Sequence, residues 1–287
     1  MQTSELLKKV RSIEIKTKGL SSNIFAGEYK SAFKGRGMAF SEVREYQPGD
    51  DVRTIDWKVT ARFNHPYIKI FEEERELTLM LLIDVSASEE YGGGSEFKKE
   101  RITEIAAVLA FSAIQNNDKI GVILFSDHVE KYIPPKKGRA HVLMIISELL
   151  NFKPQHKGTN ISEALHFFAN VIKKRSTAFL ISDFMNQHFE AALRSARSKH
   201  DLIGLRIIDT LEQALPTVGL VCIKDAETGA ERFIDTSNRR VQKQFYTLRK
   251  KHSEALKDIF MKIGVDYTEI RTDQSYINPL IMLFKNR

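Results

Sequence analysis

The chain has 287 residues, of which 42% are hydrophobic and 28% are charged, a composition typical of a folded globular protein and unlike that of a disordered one. Its apolar runs are far shorter than the roughly 20 residues of a membrane-spanning helix, and its N-terminus lacks the apolar core of a signal peptide, so we expect a cytosolic protein. The formal net charge of +7 comes mostly from residues 236–287, where eleven Lys and Arg stand against five Asp and Glu without a nucleic-acid-binding motif, and this disfavours DNA or RNA as a partner.

The first quarter of the chain predicts a helix followed by a small β-rich subdomain. Leu6, Leu7, Val10 and Ile13 recur at helical spacing and indicate an amphipathic N-terminal helix. Residues 26–75 combine many Gly and Arg residues with short alternating apolar stretches, and turn signals stand at 34–37 and 48–50. We therefore predict a first domain over residues 1–75 and a second over residues 76–287.

The second domain is predicted to be a doubly wound, mostly parallel α/β sheet of the Rossmann type, because short apolar strands alternate with longer helical patterns. The predicted strands are Thr78–Ile83, Ile120–Phe125, Ala178–Ser182, Asp201–Ile207, Val218–Ile223 and Val265–Ile270. The predicted helices cover residues 97–116, 139–150, 160–173, 188–199 and 237–263. Cys222 is the only cysteine, which excludes a disulfide framework, and its apolar neighbours predict a buried thiol.

Oxygen-bearing side chains stand at three strand ends or helix starts of this domain. In the first segment, an apolar strand runs into Asp84, Ser86 and Ser88, and alternate residues of an extended chain point to the same side. The second segment has Thr159 just before a predicted helix, and the third has Asp183 at a strand end. Because ligands of such sheets bind outside the carboxyl ends of the strands, we expect these side chains to converge.

Two carboxylates and three hydroxyls form a hard-oxygen set, which suits Mg²⁺ or Mn²⁺ and is poor for zinc or copper. Mg²⁺ prefers six ligands, so five candidate groups leave a coordination position for an outside ligand. With only two carboxylates, the bound ion keeps a net positive character. We therefore expect the site to bind an acidic side chain supplied by a partner protein.

These three segments resemble a known site. The sequences DVSAS, GTN and SDF, at 84–88, 158–160 and 182–184, look like the three loops of the metal-ion-dependent adhesion site in von Willebrand factor A domains. The resemblance covers about residues 77–270. It implies that Ser86, Ser88 and Thr159 are direct ligands and that Asp84 and Asp183 are carboxylates often acting through water. Ser182 is expected to face away from the ion.

The N-terminal region carries a second resemblance. The segment GRGMAFSEVREYQPGDDVRTIDW, at residues 35–57, is similar to the signature of bacterial "domain of unknown function 58" proteins, where it precedes an A-like domain. This family resemblance implies a MoxR-type AAA+ ATPase as a partner in the assembly or maturation of other proteins.

Two alternatives to a non-catalytic binding module remain at this point. A Mg²⁺-dependent phosphohydrolase also begins with a strand-end Asp, but it needs a second Asp two residues on as general acid, where this chain has Ser86.

A scaffold protein would instead bind through its Arg-rich N-terminal region. The candidate partner-binding residues there are Arg36, Arg44, Arg53 and Trp57, since Arg and Trp often anchor interfaces. The alternative, which is slightly favoured, is that the arginines pair internally with Asp56 and brace the subdomain. His128, His141, His156 and His188 lack metal-binding spacing in the sequence and receive no role.

Overall fold

The computed structural model of the chain describes residues 8, 10–15, 37–74, 77–87, 98–186, 188–224 and 230–287. Contacts divide them into two compact units, one within residues 33–77 and the other made of the described residues of 1–32 and 78–287. Residues 10–15 are helical and belong to the larger unit, because Val10 is buried and Glu14 accepts a 2.6 Å hydrogen bond from Arg139. The predicted first domain, residues 1–75, places this helix with the β-rich region instead.

In its described residues, the smaller unit contains an antiparallel strand pair, one turn of 3-10 helix (Val52–Thr54) and a short α-helix. Strand β1 (Gly37–Glu45) pairs with β2 (Tyr67–Glu74), with a register shift between Phe40 and Glu42. Helix α1 (Trp57–Phe63) begins at Asp56, whose carboxylate accepts the backbone N–H groups of the first turn. It ends at Asn64, which has the left-handed conformation that often terminates helices.

The larger unit is built on a six-stranded sheet in the order β10-β7-β6-β3-β4-β5. Five strands are parallel, and β5 at one edge is antiparallel to β4. The strands are β3 (Thr78–Asp84), β4 (Lys119–Phe125), β5 (Val129–Lys136), β6 (Thr177–Ser182), β7 (Asp201–Ile208) and β10 (Asp266–Arg271). The central strands are buried almost end to end, which is why their sequences are continuously apolar.

Helices cover both faces of this sheet. They are α2 (Lys98–Gln115), α3 (Arg139–Asn151), α4 (Ile161–Val171), α5 (Glu190–Lys199), α6 (Thr210–Gln213), α7 (Arg239–Ile263) and α8 (Ile277–Lys285). On one face, α4, α5 and α7 pack on side chains such as Leu82 and Leu180 in a single apolar cluster. On the other face, α8 places Phe284 against Phe179, with ring centroids 6.3 Å apart. The predicted doubly wound α/β architecture is confirmed.

The apolar segment predicted as a strand over Val218–Ile223 does not join the main sheet. It forms β8 (Leu220–Lys224), which pairs antiparallel with β9 (Glu231–Asp235) in a separate two-stranded sheet. Leu220 and Phe233 stay more than 70% exposed, and Cys222 is also exposed, so the predicted burial of its thiol is wrong. An apolar run predicts a strand, but it does not predict which sheet the strand enters.

Across the described residues, every helix is too short or too polar to cross a bilayer.

Candidate metal centre

The predicted site residues lie at the carboxyl edge of the sheet. Strands β3 and β6 are parallel neighbours, with Ile83 opposite Ile181, so the loops that follow them leave the sheet side by side. Helix α4 starts nearby after Asn160, whose side chain accepts the Glu163 N–H at 3.1 Å. Parallel pairing, rather than any local sequence feature, therefore brings Asp84 and Asp183 to one place.

Asp84 is buried and held by two serines. Its Oδ1 atom accepts the Ser86 backbone N–H at 2.9 Å, and its Oδ2 atom accepts the Ser182 hydroxyl at 2.7 Å. The Ser182 oxygen in turn accepts the Phe184 N–H at 3.0 Å. Ser182 thus donates to Asp84 and connects the first loop to the third, a contact that was not predicted from the sequence.

Backbone and amide contacts hold the loop that carries Thr159. The Asn186 side-chain amide donates a 2.6 Å hydrogen bond to the Thr159 carbonyl. The Ala87 N–H donates to the Lys157 carbonyl at 3.1 Å, so this second loop is bonded to both of the others. Ser88, the remaining predicted ligand, lies outside the described residues, as does Arg36 of the N-terminal candidates.

Asp183 is buried beside a buried ammonium group. The Lys98 Nζ atom lies 3.5 Å from its Oδ2 atom and also pairs closely with the Glu212 carboxylate. The other carboxylate oxygen of Asp183 accepts the Met185 N–H at 3.0 Å, and its backbone carbonyl accepts the Arg206 Nε–H at 3.1 Å. Asp183 is therefore fixed by its own loop, by α2 and by β7.

Burial dominates the electrostatics of the carboxylates. The pKa of Asp84 is raised to about 7, mainly by burial and also by the nearby charge of Asp183, while the hydrogen bonds from Ser182 and Ser86 oppose the rise. Burial also raises the pKa of Glu212, and Lys98 opposes that shift. Among the described residues, the buried Lys98 ammonium lies between Asp183 and Glu212. The carboxylate and hydroxyl oxygens at the sheet edge are donors that fit a divalent cation such as Mg²⁺, which Asp84, Ser86, Thr159 and Asp183 would hold.

A cleft of about 160 Å³ adjoins this centre through Glu212. Its lining includes three cationic residues, Arg206, Arg249 and Lys250, against one acidic residue, Glu212. Arg206 is buried and pairs with Glu269 at 3.2 Å, which fixes its guanidinium in the wall. The surroundings of the centre therefore favour negatively charged groups.

The N-terminal candidates separate into paired and exposed side chains. Arg44 forms two hydrogen bonds with Asp50, at 2.7 and 2.9 Å, and these lower the pKa of that carboxyl. Arg53 is exposed, and Trp57 is 71% exposed at the start of α1. Arg44 therefore braces the smaller unit, whereas Arg53 and Trp57 are available at its surface.

Three contacts around the centre were not predicted from the sequence: that of Ser182 with Asp84 and those of Lys98 with Asp183 and Glu212. Lys98 stands in the charged run KKER, which is typical of a solvated helix start, so its burial had no local signal. Only the packing of α2 against the sheet edge brings this ammonium to Asp183.

The described parts of these three loops thus meet at the carboxyl edge of a doubly wound, mostly parallel α/β sheet. The chain belongs to the family described as "Protein of unknown function DUF58", whose model matches residues 42–255, and the predicted family is thereby confirmed. An uncharacterised protein of Mycobacterium tuberculosis, Rv1480, is 25% identical over 286 residues, which cover 99% of this chain and 90% of the relative.

Two solved structures are also similar. An aerotolerance-related membrane protein of Bacteroides fragilis matches with a TM-score of 0.51 and 16% identity over 74% of this chain and 100% of that one. Proximal thread matrix protein 1 of the mussel byssus, described with a zinc-occupied adhesion-site motif, matches with a TM-score of 0.38 and 17% identity over 46% of this chain and 38% of that one. The predicted cytosolic location is wrong. The Bacteroides fragilis chain, which shares this fold, is described as a membrane protein.

Proposed function

We propose that this chain is a non-catalytic, metal-dependent protein-binding module. Asp84, Ser86, Ser88, Thr159 and Asp183 would hold Mg²⁺, with Mn²⁺ as a substitute. The observation that carries the proposal is the buried pair of carboxylates, Asp84 and Asp183, at the ends of neighbouring parallel strands. The two carboxylates and the hydroxyls around them are hard oxygen ligands of the kind that suits Mg²⁺.

The bound ion would supply a positive charge and a coordination position for an acidic side chain of a partner protein. The cationic cleft beside Glu212 supports this polarity, because Arg249 and Lys250 attract negative groups towards the same region. The resemblance to the family suggests a MoxR-type AAA+ ATPase as the protein with which this module acts.

The same geometry disfavours a phosphohydrolase. Position 86 would have to supply a general acid, but it is a buried serine whose N–H is already bonded to Asp84. A hydroxyl does not donate a proton efficiently at neutral pH, so binding rather than turnover is the role that these residues support.

The first test uses Mn²⁺ as the probe and water-proton relaxation as the measurement. Mn²⁺ bound with an open coordination position exchanges water and enhances relaxation, and added acetate should lower that enhancement by replacing the water. The Asp84→Ala/Ser86→Ala variant should lose the enhancement altogether. Ser112→Ala is the matched control, because Ser112 is an equally buried serine on α2 that bonds only within its helix at 2.8 Å.

Three results would contradict the proposal. One is relaxation enhancement that is equal in the parent and in the Asp84→Ala/Ser86→Ala variant. Another is an enhancement that acetate leaves unchanged, since the position would then not accept a carboxylate. The third is loss of the enhancement in Ser112→Ala, which would show that the effect follows general loosening of the fold.

A further inference from the structure

A second group of potential ligands lies beside the adhesion-type loops. Asp127 and His128 belong to the turn between β4 and β5, and His156 belongs to the loop between α3 and α4. One ligand atom from each residue lies within 4.8 Å of the other two. The His128 Nδ1 atom is 2.9 Å from the Asp127 Oδ1 atom, the His156 Nδ1 atom is 3.6 Å from it, and the two imidazole centroids are 5.0 Å apart.

Neighbouring hydrogen bonds hold the two segments together. The Ser126 hydroxyl donates to the Glu130 Oε1 atom at 2.8 Å and lies 3.3 Å from the Asp127 Oδ1 atom. The same Glu130 oxygen accepts the backbone N–H groups of Gln155 and His156, each at 3.1 Å. Glu130, at the start of β5, therefore fixes the backbone of the segment that presents His156 beside the turn that carries Asp127 and His128.

We propose that Asp127, His128 and His156 bind Zn²⁺ or a similar borderline transition-metal cation. Two imidazole nitrogens and one carboxylate oxygen are typical zinc ligands, and three protein ligands leave a fourth position for water or an outside group. Tetrahedral Zn²⁺ with bonds of about 2.0–2.1 Å needs ligand atoms roughly 3.3 Å apart. The Asp127 Oδ1 atom lies 2.9 Å from the His128 Nδ1 atom and 3.6 Å from the His156 Nδ1 atom, and these two distances lie on either side of that value.

The proposed zinc site would have different ligand atoms from the hard-oxygen centre. Its segments are nevertheless hydrogen-bonded to the loops of that centre. His156 precedes Lys157, whose carbonyl accepts the Ala87 N–H of the first loop at 3.1 Å. The Ser126 carbonyl accepts the Asn160 N–H at 2.7 Å, next to Thr159. A cation bound here would therefore tie the turn after β4 to the loops that carry Ala87 and Thr159. This inference goes beyond the proposed function and does not depend on it.

The test is calorimetric titration of Zn²⁺ into the full chain near neutral pH with Mg²⁺ in excess, so that the hard-oxygen centre is blocked. The parent should bind one Zn²⁺, and the His128→Ala/His156→Ala variant should bind it at least about 10-fold more weakly, since loss of even an outer hydrogen-bond partner of a ligand costs 10–100-fold. His166→Ala, at an exposed histidine on α4, and Cys222→Ser, at the exposed thiol, are the matched controls and should bind as the parent does.

Co²⁺ supplies a second readout, because coordination by nitrogen and oxygen ligands gives a visible spectrum that the double variant should lack. His128 and His156 are 62% and 48% exposed, so their substitution should leave the circular dichroism spectrum unchanged. The single variants His128→Gln and His156→Gln repeat the test with a smaller change in the side chain.

Equal Zn²⁺ affinity in the parent and the double variant would overturn the inference, as would a parent that takes up no Zn²⁺. The Asp84→Ala/Ser86→Ala variant separates the two sites. It should lose Mn²⁺ binding and keep Zn²⁺ binding, so failure of one proposal leaves the other standing.

Discussion

At the scale of single residues, Ser182 determines how Asp84 is presented. Its hydroxyl donates to the Asp84 carboxylate at 2.7 Å while its oxygen accepts the Phe184 N–H at 3.0 Å, so one side chain fixes two loops. Hydrogen-bond partners of this kind orient a metal ligand even when they do not touch the metal.

Ser182→Ala should therefore weaken Mg²⁺ binding by about 10–100-fold while the fold is retained. Calorimetry on the chelator-treated protein measures the change, with Ser112→Ala as a control for the loss of a buried hydroxyl. An affinity equal to that of the parent would mean that the backbone alone positions Asp84.

Lys98 supports the same centre through charge. Replacing it by Met leaves Asp183 and Glu212 without their buried ammonium, and removing one partner of a buried pair typically costs about 3–5 kcal/mol. In the Lys98→Met variant, Mg²⁺ should restore part of this loss, because the ion neutralises the same carboxylates. Denaturant unfolding with and without Mg²⁺ tests this, and a variant whose stability gains no more from Mg²⁺ than the parent does would contradict it.

At the scale of elements, helix α7 packs closely on strand β7 where the strand has a glycine, Gly204. A Cβ atom added at Gly204 would stand 2.7 Å from the Phe260 ring, which also stacks on Tyr267 at 4.6 Å between centroids. Since Phe260 is buried, the ring has little room to move. Close approach of helix and strand therefore depends on the absence of a side chain at position 204.

Gly204→Ala should destabilise the fold by about 1–3 kcal/mol through overpacking. Adding Phe260→Leu should recover part of that loss, so the double variant should be more stable than the sum of the two single effects predicts. Denaturant unfolding of the four proteins measures the coupling, and strict additivity would show that the clash is relieved elsewhere.

The end of α5 contains a buried histidine. His200 packs on Phe168 at 4.4 Å between ring centroids, its Nδ1 atom lies 3.1 Å from the Ser176 hydroxyl, and its Nε2 atom has no hydrogen-bond partner among the described residues. Burial lowers the pKa of His200, and the charges of Lys199 and Arg175 lower it further. The neutral ring is therefore the form that the folded state favours.

A lowered histidine pKa stabilises the fold above the unfolded-state pKa of about 6.5, and this contribution is lost as the pH falls through the folded-state pKa. The parent should therefore lose more stability between neutral pH and about pH 5 than His200→Phe does. His166→Phe, at an exposed histidine, should behave as the parent. Identical pH profiles for the parent and His200→Phe would show that His200 does not contribute.

At the scale of the whole molecule, cation binding and stability are linked. A ligand that binds only the folded state at 100 times its Kd stabilises by about 2.7 kcal/mol, which raises Tm by several degrees for a domain of this size. Mg²⁺ should therefore raise the Tm of the parent, chelation should reverse the rise, and Asp84→Asn should show neither effect. An equal rise in Asp84→Asn would indicate stabilisation by salt rather than by the proposed site.

The order of elements in the larger unit was predictable because strands buried on both faces are continuously apolar and the helices between them are amphipathic. The predicted segments at Thr78–Ile83, Ala178–Ser182 and Asp201–Ile207 lie in β3, β6 and β7. Strand β5 was not predicted, since its sequence VEKYIPPK is interrupted by charged residues and prolines and is mostly half-buried at the sheet edge. The segment Val218–Ile223 was predicted as a strand of the main sheet. It pairs in a separate two-stranded sheet instead, because apolar character does not specify a pairing partner.

The sequence by itself determined the alternation of strands and helices and the oxygen-bearing residues at the strand ends, because burial periodicity and side-chain chemistry are local properties. Only the tertiary structure decided that Ser182 faces Asp84, that Lys98 is buried beside Asp183, and that His128 and His156 meet across 28 positions of the chain. Each of these contacts joins segments that are distant in sequence. Their spacing is set by the parallel register of the strands and by the packing of helices at the sheet edge, which no local pattern encodes.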